Sequence, residues 1–236
     1  MAMKKRAGAR RGRPPGTTEQ GEASRRLLYE TAVRLISARG YEATTLRDIA
    51  SEAGVSPGLL YRYFPNKRAV VLALYDELSQ AYGHRAEALP EGAWPTRFLA
   101  ALRTSLAVLA PKREALRALS GVLVGAGSEG LFAESTSFSR RRVQAVFARV
   151  VDGSTNPPDP TTARALGRLL YLAHLGALLF WLLDASESQS ATDELLDVAE
   201  LVSTWLPVLL ATDAAATLVV TLDEIVALAL FGEAES

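Results

Sequence analysis

Thr45–Lys67 reads TLRDIASEAGVSPGLLYRYFPNK, two short helical patterns joined at a glycine, and its spacing decides the fold. Thr45 followed three residues later by Asp48 is a capping-box spacing, in which hydroxyl and carboxylate take up amides left free at a helix start. A helix therefore begins at Leu46. Leu46, Ile49, Ala50 and Ala53 recur at helical spacing and make one face apolar, while Arg47, Asp48, Ser51 and Glu52 point elsewhere. Gly54 ends this helix, because glycine takes the left-handed conformation that a sharp corner needs, and Val55 folds back as an apolar plug. Ser56 caps the next helix, and Pro57 suits its first position, where no amide hydrogen is required.

The second helix, Pro57 to Tyr63, is too short to be stable alone, so its neighbours must hold it. Leu60 and Phe64 are its expected core anchors. Gly58, Leu59, Tyr61, Arg62 and Tyr63 are left facing outward, a mixture of small, aromatic and cationic groups that suits a nucleic-acid groove. Pro65 and Asn66 cap a further helix running to about Ala88. Lys67 sits in its first turn, where a cation opposes the helix dipole; an arriving DNA phosphate would resolve that conflict.

These residues resemble the DNA-binding domain of the TetR family of bacterial transcriptional regulators, whose pattern reads approximately T-x-x-x-I-A-x-x-A-G-V-S-x-G-x-x-Y-x-Y-F-x-x-K. Thr45, Ile49, Ala50, Ala53, Gly54, Val55, Ser56, Gly58, Tyr61, Tyr63, Phe64 and Lys67 match it. The likeness extends back through Leu28, Ala32, Leu35, Ile36, Gly40 and Tyr41 and fades after about Leu74. It implies that Thr45, Arg62, Tyr63 and Lys67 contact phosphates, that Arg47, Gly58, Leu59 and Tyr61 approach base edges, and that Ser56 lies on the same DNA surface. Arg47 can pair two-pronged with guanine, and Leu59 can rest on a thymine methyl.

The net charge of zero over 236 residues conceals an asymmetry. Residues 1 to 70 carry 14 Lys and Arg against 6 Asp and Glu, a balance of +8, and the remainder carries −8. One end is built for polyanions. The first twenty residues, MAMKKRAGARRGRPPGTTEQ, lack apolar periodicity and are expected to be disordered without a partner. Within them, Arg11-Gly12-Arg13-Pro14 resembles the core of an AT-hook, whose extended arginines enter a narrow minor groove. Residues 22 to 39, with Leu28, Ala32, Leu35 and Ile36 on one stripe, form the brace for the reading head.

The chain has no cysteine, which excludes disulfides, thiol chemistry and cysteine-ligated metal sites. No signal peptide is visible, so the expected compartment is the cytoplasm. From Pro90 onward the pattern is helical, over approximately 95–110, 112–124, 135–151, 161–184, 192–211 and 213–231. The expected fold is all-α, a three-helix helix-turn-helix domain followed by a helical bundle that forms a dimer. The expected division is a basic arm at 1–20, a DNA-binding domain at 21–70, and a ligand-binding and dimerisation domain at 71–236. The run Leu169 to Leu183 is apolar all round, but its 15 residues, His174 and the flanking Arg168 and Asp184 argue for a helix buried between bundle layers instead of a membrane span. In the family this chain resembles, two late helices of each protomer form a four-helix interface. The candidates here are 161–184 and 192–211, the second with Leu195, Leu196, Ala199, Val202, Leu206 and Leu209 as its apolar face.

Phe98, Phe138, Tyr171, His174 and Trp181 interrupt aliphatic helices and are the candidate lining of an effector pocket. The resemblance implies a small-molecule effector; the composition suggests a largely apolar one. Gly125, Gly127 and Gly130 spell G-x-G-x-x-G, but no βαβ unit surrounds them, so no dinucleotide cofactor is expected. Arg140, Arg141 and Arg142 are expected on a solvated helix face. No set of acid, base, nucleophile or metal ligands converges, which argues against an enzyme. The expected function is a ligand-released repressor on a palindromic operator, with an A·T-preferring architectural DNA-binding protein as the alternative.

Overall fold

The computed structural model describes residues 19–125, 127 and 129–231. Arg11 and Arg13 of the AT-hook-like arm lie outside these residues, as do six of the fourteen cations of the first seventy positions.

All regular elements among the described residues are helical. The head consists of α1 (Glu19–Arg39), α2 (Leu46–Glu52) and α3 (Pro57–Tyr63). From it α4 (Lys67–Arg85) leads into the body, made of α5 (Trp94–Leu109), α6 (Arg113–Ala118), α7 (Ser120–Val124), α8 (Ser137–Asp152), α9 (Pro160–Leu183), α10 (Ser190–Ser203), α11 (Leu206–Leu210) and α12 (Asp213–Val226). The last turns, Ala227–Phe231, widen into a π-helix.

The apolar stripe of α1 packs on α2, α3, α4 and α6. One core therefore runs from Leu28, Ile36, Ile49, Leu60 and Phe64 through Val70 and Leu74 to Leu116, Leu119 and Leu182. Since α4 continues unbroken through residue 70, head and body share this core. A second core, with Phe147 and Val150 of α8 between Tyr82 and Tyr171, joins α4, α5, α8 and α9.

Two expected helices are broken. The 112–124 segment divides at Leu119 into α6 and α7. The 192–211 segment divides at Thr204–Trp205, because Pro207 has no amide hydrogen for the carbonyl one turn back and its ring crowds the preceding turn. The G-x-G-x-x-G segment is a tight loop. Any Cβ on Gly130 would collide with the Gly125 carbonyl oxygen, so glycine is needed there for backbone to pass backbone.

Helix α9, and α12 taken together with the π-helical turns to Phe231, are each long and apolar enough to cross a membrane. The N-terminal half of α9 is enclosed within its own chain by α8 and α12, and Arg168 pairs with Asp223 of α12 at 2.9 Å. Its C-terminal half leaves one stripe exposed, Ala173, Gly176, Phe180 and Leu183. The largest bare apolar surface lies beyond that stripe. On α10, Leu195, Val198, Leu201 and Val202 are exposed, followed by Trp205 at 68 %, Val208 and Leu209; on α12, Leu218, Leu222, Ile225 and Leu228 face solvent. Of the residues expected on the interface face, Leu196 is buried and Ala199 and Leu206 are half-buried.

Candidate DNA-reading head and effector cavity

Each corner of the head is closed by a short-range cap. The Thr45 hydroxyl accepts from Asp48 N at 3.2 Å, and the Asp48 carboxylate accepts from Thr45 N at 2.9 Å and from the Thr45 hydroxyl at 2.7 Å. These bonds hold the Asp48 carboxyl below its ordinary range. Gly54 adopts φ +65°, and Val55, half-buried, donates its amide to the Ala50 carbonyl. Ser56 Oγ accepts from Leu59 N at 3.3 Å, and Asn66 Oδ1 from Ala69 N at 2.9 Å.

Helix α3 buries Leu60 and, just past its end, Phe64 follows it into the core. Gly58, Tyr61 and Arg62 stand exposed, Leu59 and Tyr63 half-exposed. A side chain added at Gly58 would meet open space. Thr45, Arg47 and Ser56 are exposed on the same head, and the Arg62 guanidinium lies 5.9 Å from the centre of the Tyr63 ring. Thr45 has its hydroxyl proton committed to Asp48, so a phosphate would have to compete for it.

Lys67 departs from the expectation that its charge awaits a phosphate. Its ammonium donates to the Tyr41 carbonyl at 2.6 Å, stacks 4.0 Å from the centre of the Tyr41 ring and lies 3.8 Å from the Glu42 carboxylate. The dipole conflict is thus relieved from inside the chain, and the side chain ties the α1–α2 turn to the start of α4. Tyr41 continues the connection, because its hydroxyl donates to Glu129 Oε1 at 3.4 Å. Burial first, and then the Glu129 charge, push that hydroxyl up to about 12. Tyr75 of α4 donates to the Glu129 carbonyl at 3.1 Å, so one loop residue touches both the head and its lever helix.

A cavity of about 80 Å³ lies between α4, α5, α8 and α9. Leu78, Tyr82, Ser105, Leu109, Val143 and Leu178 line it, and Leu123, Leu131 and Thr136 close it from the side of the Glu129 loop. Two of the five pocket candidates, Tyr171 and His174, are there. The other three are not. Phe98 turns toward Phe147, 5.9 Å between ring centres; Phe138 packs against the first core; Trp181 is buried beneath the Arg113 guanidinium at 5.3 Å. An aromatic residue in an aliphatic helix marks a bulky packing site as readily as a cavity, and only the helix phases distinguish them. Tyr82 and Ser105 escaped the sequence reading, although Tyr75, Leu78 and Tyr82 recur at i, i+3 and i+7 on one face of α4.

His174 is buried, and its Nε2 is 2.8 Å from Ser105 Oγ. Burial lowers its pKa to about 4, so the ring is neutral at pH 7. Arg140 also lines the cavity, but its guanidinium donates to the Leu131 and Ala133 carbonyls and sits over Phe231. Arg142 pairs with Asp76 at 3.1 Å and donates to Ser79. Arg140 and Arg142 are tied into the fold, because α4 and the loop before α8 pack against them, whereas Arg141 is exposed as expected. Among the described residues no cluster of potential metal ligands occurs.

Residues 28–74 match bacterial regulatory proteins of the tetR family. Over these residues the N-terminal domain is similar to that of the TetR family. The chain is similar to the HTH-type transcriptional regulator TtgR of Pseudomonas putida, 42 % identical over 72 residues, which are 30 % of this chain and 34 % of that one. It is also 42 % identical over 59 residues to the HTH-type transcriptional repressor KstR2 of Rhodococcus jostii, covering 25 % and 29 % of the two chains. The chain thus spans about a third of the length of these curated relatives. The TetR fold extends further than that sequence likeness. The crystal structure of FadR from Bacillus subtilis in complex with stearoyl-CoA superposes with a TM-score of 0.58, covering 74 % of this chain and 96 % of that one at 16 % identity.

Proposed function

We propose that this chain is a dimeric transcriptional repressor that reads a palindromic operator through α3 and releases it when a small molecule enters the body. The observation that carries the reading is the α2–α3 unit. Its three caps fix the corner while Gly58, Tyr61 and Arg62 remain unburied, an arrangement that a packing role does not explain. The proposed division of labour follows the chain, with a basic arm at 1–20, a head at 21–70 and a regulatory body at 71–236, working in the cytoplasm where the DNA is.

The proposed dimer forms through α10, α11, α12 and the Ala173–Leu183 stripe of α9. Exposed large apolar side chains on a monomer's surface on this scale need another surface over them. Two α3 helices held about 34 to 36 Å apart would enter successive major grooves. Arg47, Gly58, Leu59 and Tyr61 would meet base edges, with Thr45, Ser56, Arg62 and Tyr63 nearer the backbone. The role proposed for Lys67 is to hold the α1–α2 turn.

Release requires a ligand that binds the two head orientations unequally. The cavity wall and the head are joined through Glu129, Tyr41 and Lys67, so widening the cavity displaces the loop that holds the turn before α2. FadR, similar in fold, is in complex with stearoyl-CoA, and KstR2, similar over 59 residues, is a transcriptional repressor.

Selection of bound duplexes from a random pool at fixed physiological salt tests the reading. A palindrome preferred over bulk DNA by about a thousandfold or more is expected, with Arg47→Ala relaxing one position per half-site. A bias toward A·T-rich duplexes without a palindrome would instead support an architectural protein.

A further inference from the structure

Two polar groups in the cavity wall have no partner among the described residues. His174 is 3 % exposed and Tyr82 is 2 % exposed, yet His174 Nδ1 and the Tyr82 hydroxyl each lack a hydrogen bond. Their rings stack in parallel, 5.9 Å between centres and 5° apart in plane, so both belong to one wall. Each unmet group has given up its water without a hydrogen bond in return, which disfavours leaving it so. Ser105 already occupies the other imidazole nitrogen, which fixes the ring and leaves Nδ1 for something else.

We propose that the cavity takes a neutral, mainly apolar molecule bearing a hydroxyl or carbonyl, which His174 Nδ1 and the Tyr82 hydroxyl recognise together. A carboxylate or phosphate is disfavoured, because the imidazole is uncharged at neutral pH and the Arg140 guanidinium, although it lines the cavity, is already engaged by the Leu131 and Ala133 carbonyls. The resting volume of about 80 Å³ is about half that of the 150 Å³ cavities that hold benzene. A ring-sized ligand therefore has to widen the cavity, and only three residues separate α3 from α4, which lines it. This assignment rests on the effector reading above and names the chemistry that the same cavity selects.

The probes are phenol and 1-butanol, set against benzene and butyrate, with binding followed by calorimetry and by imidazole ¹⁵N resonances. With only two histidines in the chain, and His84 exposed, the His174 signals are readily assigned. Phenol and 1-butanol should bind about tenfold or more tighter than benzene and butyrate, and phenol should shift the His174 Nδ1 resonance. Tyr82→Phe removes only the unpaired hydroxyl and should erase most of phenol's advantage over benzene while the protein stays folded. Equal binding of phenol and benzene, tighter binding of butyrate, or no change in Tyr82→Phe and at His174 would overturn the assignment, as would ordered water already satisfying both groups. Affinity for the selected duplex is read separately. Phenol preference without any loss of DNA affinity would leave the recognition chemistry standing and remove the gating; specific DNA binding without phenol preference would do the reverse.

Discussion

The head and the C-terminal end of the body are stabilised in different ways. In the head, small polar side chains close the starts of α2 and α3, and Asn66 closes that of α4, while the outward residues of α3 stay unburied. At α10 to α12, caps are few and the surface is apolar, with Trp205, Leu201 and Leu228 largely bare. A capped helix with exposed polar groups is complete and free to touch DNA; an apolar helix left bare needs another surface over it. The same contrast divides α9, whose first half is enclosed within the chain and whose second half shows Ala173, Gly176, Phe180 and Leu183.

Placing charges on the bare surface tests the contrast most severely. Trp205→Glu with Leu222→Glu should weaken self-association a hundredfold or more, because each carboxylate would cost several kcal/mol if buried unpaired. Helix content should not change, since both positions are exposed in the single chain. Sedimentation velocity beside far-UV circular dichroism checks both, and an unchanged dimer would refute the surface as the interface.

His174 gives the next effect in size. Its pKa falls from 6.5 to about 4 on burial, so the unfolded chain binds more protons than the folded one between those values. The stability it preserves is fully present above pH 6.5 and declines by about 3 kcal/mol as pH falls to 4. Denaturant unfolding at several pH values should show this slope in the parent and lose it in His174→Phe. Parallel pH profiles for the two proteins would contradict a neutral buried imidazole.

The smallest effect belongs to the head. Thr45→Ala removes one side of the capping box and should cost about 1 kcal/mol in denaturant unfolding, without changing self-association. A loss near zero would mean that packing on α1, more than the cap, holds α2.

These elements also separate what was legible in the chain from what was not. Thr45, Asp48, Gly54, Ser56, Pro57 and Asn66 act within three or four residues of themselves, and their roles follow from spacing. The partners of Lys67 lie 25 and 26 positions away, so its tie to Tyr41 was hidden and its charge seemed unanswered. In the body, periodicity found most helices but not which apolar face turns inward. Phe98, Phe138 and Trp181 were indistinguishable from Tyr171 and His174 until helix packing set their directions. Pro207, in contrast, was visible in the sequence and sufficient to break the 192–211 helix.

In the proposed complex two copies of the chain read one site together. Titrating the selected palindrome against a duplex carrying a single half-site, at one salt concentration and with stoichiometry measured, tests it most directly. The expected result is two chains per palindrome, bound at least about a hundredfold tighter than the half-site, with the gain lost when half a helical turn is inserted between half-sites. Equal affinity for both duplexes, indifferent to that insertion, would contradict it.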